Sequence, residues 1–149
     1  MPANPAPKHL LSDDDARRVR DAIADAESKT SAELKLIIAR HCWGDIRDKA
    51  HTLFIKHGLD QTQQRNAVMI LLVTTNREFL VYGDQGIHEK VGDAFWQATR
   101  DVMAHRFKAG AIGDGLVAGI EQIAARLGEH FPITTDDVNE ISNEVAYDD

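Results

Sequence analysis

A chain of 149 residues, 43% of them apolar, is long enough to bury most of its unfolded surface in one core, so a single domain is expected. Its 24 acidic and 17 basic residues leave a formal charge of −7, which argues against nucleic acid as the partner, because a phosphate backbone is held by clustered Lys and Arg. With Cys42 as the sole cysteine, no intrachain disulfide can form, and no stretch reaches the roughly 18 apolar residues of a membrane helix; a soluble, cytoplasmic protein without membrane insertion is the expectation.

Residues 1–11 contain prolines at 2, 5 and 7 and are expected to be disordered, because proline lacks the amide donor of a helix or ladder. Ser12 followed by three aspartates then reads as a helix start, with Ser12 and Asp15 spaced as a capping box. Ala16, Val19, Ala22, Ile23 and Ala26 trace one face of a helix to about Ser28. Glu33 to Ala39 begins in alternation and ends apolar, the pattern of a strand becoming covered on both faces. Asp45 caps a second helix to about His57, and Gly58 closes it.

Ala67 to Val73 is almost continuously apolar and reads as a central strand. Strand, helix and strand in succession imply a parallel pair joined by a right-handed crossover. The short polar segment 74–77 returns the chain antiparallel as Glu78 to Tyr82. Gly86 is expected to supply a positive backbone angle at the turn that follows. One helix is then predicted along Val91, Phe95, Ala98, Val102 and Met103 to about Phe107, with Trp96 at its border. A last helix runs from about Leu116 and ends at Gly128. Trp43, Phe54, Phe95, Trp96 and Phe107 are assigned to the core, as aromatics usually are in small domains. The segment 133–149 carries six acids and no Lys or Arg, so it forms an acidic tail beyond the 12–132 domain. Val138, Ile141 and Val145 are spaced for a short amphipathic helix within it.

Strand direction converges the polar residues. If the first two strands are parallel, Glu33 and Arg65-Asn66 enter the sheet at the same end, and Asp84 leaves the antiparallel return strand there too. Thr30 and Ser31 lie close by in sequence. Glu33 and Asp84 offer hard oxygens suited to Ca²⁺ or Mg²⁺, Arg65 suits a carboxylate or a phosphate, and the helix after Asp84 adds backbone donors. The plainer alternative is that Arg65 neutralises one of the acids, Asn66 satisfies loop backbone and Asp84 caps the helix. His41, Cys42, Asp45 and His51 lack any recognisable metal-ligand spacing. No nucleophile elbow or phosphate-binding glycine loop is present in the sequence.

The order of Thr30-Ser31-Ala32-Glu33, Ala50 and Phe54, Arg65-Asn66-Ala67-Val68, Gly83-Asp84-Gln85-Gly86-Ile87, and Phe107 with Gly110 before Gly115-Leu116 resembles the TPM domain family. Its members include a thylakoid lumenal protein linked to photosystem repair and acid phosphatase activity, and a membrane-bound modulator of acetylcholine receptors. The resemblance covers about Ile23 to Pro132 and implies a three-layer α/β/α sandwich with a small mixed β-sheet. It also implies a functional polar sheet end, with Asp84 the leading metal-binding candidate beside Glu33, and Arg65, Asn66 and Gln85 as ligand-binding candidates. Relatives often have glycine where this chain has Ala67, and many carry export or anchoring segments that are not read here. The expected function is a ligand- or partner-binding module with a Ca²⁺ or Mg²⁺ site. The alternative is a metal-assisted acid phosphatase acting on phosphomonoesters, in which Asp84 and Glu33 hold the metal and Arg65 stabilises phosphoryl charge.

Overall fold

The sheet is built on two strands whose every residue is buried, β1 (Glu33–Ala39) and β2 (Ala67–Val73). The structure is a computed structural model that describes residues 6–133 and 141–148. β1 and β2 are parallel, with Glu33 opposite Ala67 and Ala39 opposite Val73. β3 (Glu78–Gly83) returns antiparallel to β2, with Val68 opposite Gly83. A short β4 (Ala146–Asp148) adds parallel to the other side of β1, giving the order β3-β2-β1-β4.

The two-residue period sorts side chains cleanly between two covered faces. Leu34, Leu36, Ile38, Val68, Ile70, Leu72 and Val81 pack with Val19 and Ile23 of α1 (Asp13–Glu27) and with Leu116, Ile120, Ile123 and Leu127 of α5 (Ile112–His130). Ile37, Ala39, Ala67, Met69, Leu71, Val73 and Leu80 pack with Ala50, Leu53 and Phe54 of α2 (Ile46–Lys56). This is the expected α/β/α sandwich. Ser12 Oγ accepts from Asp15 N at 3.0 Å, which fixes the start of α1. Asp45 does the same for α2 by accepting from Arg47 N at 2.8 Å.

Several expectations are corrected. Residues 7–9 form a 3-10 turn with Pro7 buried, and Leu11 joins the core, so the described part of the N-terminal segment is ordered. The helix predicted through 91–107 is broken: α3 (Gln85–Val91) stops at Gly92, whose φ of 71° only glycine adopts freely, and α4 (Gln97–Lys108) begins after a 3-10 turn. That break places Trp96 not at the helix border but in the core, at 3% exposure, in line with its assignment there among the aromatics. α5 runs through Gly128 to His130, and Gly128 serves close approach instead of ending the helix: a β-carbon there would sit 3.0 Å from the Lys29 carbonyl oxygen. The amphipathic helix of the tail is replaced, within 141–148, by the strand β4; Val138 lies outside the described residues.

Candidate functional site

β1, β2 and β3 do bring the predicted polar residues to one end of the sheet, because Glu33 faces Ala67 across one ladder and Asp84 N donates to the Ala67 carbonyl across the other. There Arg65 and Asp84 form a two-pronged pair. Arg65 Nε donates to Asp84 Oδ2 at 2.7 Å and Nη2 to Oδ1 at 2.9 Å. Asp84 Oδ1 also accepts from Gln85 N at 2.7 Å, capping α3. Asp84 is 5% exposed, so its charge is compensated inside the fold by a guanidinium that stays partly in water. That contact raises the Arg65 pKa further, the hydrogen bond to Asp84 being the first cause.

The loop bearing Arg65 is pressed onto this corner. Arg65 has φ 52°, an uncommon backbone state for a side chain of its size, and its carbonyl accepts from Gly86 N at 2.9 Å. A β-carbon on Gly86 would lie 2.4 Å from the Gln64 carbonyl oxygen and 2.6 Å from that of Arg65. Gly86 is therefore required for close approach, and the positive angle expected of it falls instead at Gly92. Asn66 Nδ2 donates to the Ser31 carbonyl at 3.1 Å, and Thr30 Oγ1 donates to the Phe131 carbonyl at 2.7 Å. Gln85 Nε2 turns along its own helix to Glu89 at 3.2 Å.

Glu33, 4% exposed, reaches a different neighbour. Its carboxyl lies beside that of Glu27, whose Oε2 accepts from Leu34 N at 3.2 Å. Burial first, then the charge of Glu33 and a hydrogen bond with it, push the Glu27 carboxyl up to about 8. This carboxyl pair was hidden in the sequence, because Glu27 looked like one more polar residue at a helix end. Among the described residues no three His, Cys, Asp or Glu side chains group to hold a metal ion. Asp84 would have to give up Arg65 and the Gln85 amide to offer its oxygens to a cation, and Glu33 lies beside a second acid. The donor set as arranged does not fit Ca²⁺, which takes six to eight converging oxygens.

The opposite, C-terminal end of the parallel strands is where an α/β sheet opens toward ligands. Here Trp43, assigned by sequence to the core, is 88% exposed. It stacks on His41 with ring centroids 4.8 Å apart and planes at 18°. The loop beneath is tied down: Thr75 N donates to the Arg40 carbonyl at 3.1 Å, Asn76 Nδ2 to the Cys42 carbonyl at 3.2 Å, and Cys42 Sγ to the Gly44 carbonyl at 3.3 Å. Cys42 is thus a buried structural thiol. An open hollow of about 300 Å³ lies between Trp43, Asp48, Lys49 and Thr52. His51, also weighed as a ligand, instead sits with Nδ1 3.0 Å from Tyr82 Oη. The signal that could have found this loop is its placement at a strand's C-terminal end, flanked by residues too polar to cover an indole.

Residues 6–126 match the family described as TPM domain. The chain is 34% identical to the BA42 protein of the psychrophilic bacterium Bizionia argentinensis, whose solution structure superposes with a TM-score of 0.89 over 94% of this chain and 97% of that one. The N-terminal domain of a protein from P. gingivalis superposes with a TM-score of 0.68 at 17% identity, over 83% of this chain and 80% of that one, which shows the shared fold alone. No curated protein matches the chain significantly. Among the described residues no helix is long and apolar enough to cross a membrane.

Proposed function

The chain belongs to the TPM domain family, and we propose that within it this protein is a noncatalytic binding module that engages a protein partner through the loop carrying Trp43. The observation that supports this reading is an indole 88% exposed on a loop whose backbone accepts hydrogen bonds from Thr75 and Asn76 in the turn between β2 and β3. Exposed tryptophans are enriched among residues that dominate binding energy, and a rigid loop loses little entropy when it docks. The hollow beside Trp43 leaves room for partner side chains around the ring.

Metal-assisted phosphomonoester hydrolysis would require Asp84 to leave Arg65, and among the described residues no three His, Cys, Asp or Glu side chains group to share a metal. The arrangement at that end instead supports a locking role, so the binding reading is preferred. The test is direct. A partner recovered on the immobilised full chain is purified and titrated against the chain and against Trp43→Ala. Affinity should fall about thirtyfold or more, as expected of a binding hot spot, with the unfolding transition unchanged. Equal affinities would place recognition elsewhere and refute the proposal.

A further inference from the structure

β4 pairs with Ile37, Ile38 and Ala39, so among the described residues the outer edge of β1 is laddered along its second half alone. The rest of that edge is closed by side chains. Leu34 N is capped by Glu27, and Lys35, 9% exposed, aims its ammonium at the C-terminal segment. Lys35 Nζ donates to the Glu144 carbonyl at 2.6 Å and to the Ser142 carbonyl at 3.2 Å. These contacts read backbone, not side chains. The acids of the segment are read by charge, while Val145 and Ala146 pack against the two cores: Lys49 holds Asp148 at 2.7 Å, Lys56 lies 3.9 Å from it, and Arg20 is 3.7 Å from Glu144. Arg40 N completes the ladder by donating to the Asp148 carbonyl at 2.9 Å.

An edge that supplies ladder bonds, a buried lysine directed at carbonyls, and a rim of cations has the parts used to capture an extended peptide by strand addition. We propose that the outer edge of β1 is an acceptor for an extended acidic segment of a partner protein, added as a parallel strand, and that residues 142–148 occupy it as an internal competitor. This surface is separate from the Trp43 loop, and the proposal stands without that reading. Burial under the segment also lowers the Lys35 pKa, desolvation being the first cause, which accords with an ammonium covered by backbone. A tethered competitor acts at an effective concentration on the order of millimolar, so free peptide should bind the native chain weakly.

The experiment uses the full chain carrying Glu144→Lys and Asp148→Lys, which weakens the internal segment and leaves the acceptor intact. A fluorescein-labelled, acetylated and amidated peptide of residues 142–148 should bind this variant at least about tenfold more tightly than the native chain. The same peptide with both acids changed to lysine should not bind either. Absence of binding to a variant that still unfolds cooperatively overturns the proposal, as does equal binding of the charge-reversed peptide. If the variant does not fold, the native chain decides: several millimolar unlabelled peptide should shift the Arg40 amide resonance, and an unmoved resonance overturns the proposal. A concentration-dependent dimer that exchanges tails yet takes up no free peptide would also overturn it.

Discussion

Replacing Glu27 with glutamine probes the carboxyl pair it forms with Glu33. The Glu27 carboxyl titrates near 8 in the folded chain, against an ordinary value of 4.5, because it is desolvated and lies beside Glu33. Between those pH values the folded chain keeps a proton that the unfolded chain has released. Stability is therefore fully present below about pH 4.5 and is lost as pH rises through about 8. The full shift corresponds to about 5 kcal/mol, but Glu27 is only partly buried, and solvent screening reduces the expected loss to about 2 kcal/mol. Glutamine mimics the protonated acid: its carbonyl can accept from Leu34 N and its amide can donate to Glu33. Urea unfolding of both chains at pH 5, 7 and 9 is the assay. The advantage of Glu27→Gln should grow by about 2 kcal/mol across that range. A difference that stays constant within about 0.5 kcal/mol would refute the carboxyl pairing, since that is the scatter of ordinary surface substitutions.

Three further outcomes follow from the same geometry. Arg65→Asn, which tolerates the positive φ, should lower stability by leaving the buried Asp84 without its partner, and adding Asp84→Asn should recover part of that loss; strictly additive costs in urea unfolding would contradict the pairing. Gly86→Ala should cost about 2–3 kcal/mol because backbone carbonyls wall the site. Gly119→Ala, whose β-carbon has its three nearest neighbours in the flexible Met103 side chain, should change stability by less than about 1 kcal/mol; similar melting shifts for the two would sink that contrast. Calorimetric titration with Ca²⁺ should give the same isotherm for the native chain and for Asp84→Ala, and a loss of binding in the variant would restore Asp84 as a metal ligand.

Much of the sheet was legible because its signal is local. The runs Glu33 to Ala39 and Ala67 to Val73 are observed with the predicted bounds, since strands covered on both faces need continuous apolar residues. Asp45 and Asp84 were legible as helix caps for the same reason: the acceptor and the amide it serves are one or two residues apart. Features set by distant packing were not. Nothing near Gly86 announces that Gln64 and Arg65 carbonyls crowd it, and the periodic residues 91–107 hide the break at Gly92 because apolar spacing continues across it. β4 was obscured by composition. Its Ala-Tyr-Asp is too short and polar to read as a strand, and it forms one because β1 offers an edge and Lys49 offers a charge.

The polar end singled out by sequence and the aromatic end shown by the structure behave oppositely, and burial explains why. Asp84 lies under the β2 entrance, where an uncompensated carboxylate would cost several kcal/mol, so the fold supplies Arg65 in a strained backbone state and uses up both carboxylate oxygens. A group so fully satisfied has little left for a ligand. Trp43 carries the reverse imbalance: a large apolar ring left in water, on a loop whose Arg40 and Cys42 carbonyls are already bonded. Covering the ring gains apolar burial, whereas opening the Arg65–Asp84 pair must first undo two charge-assisted bonds. The proposed association thus falls at the end where the sheet's parallel strands finish, and the chemistry-bearing residues at the other end tie β2, β3 and α3 together.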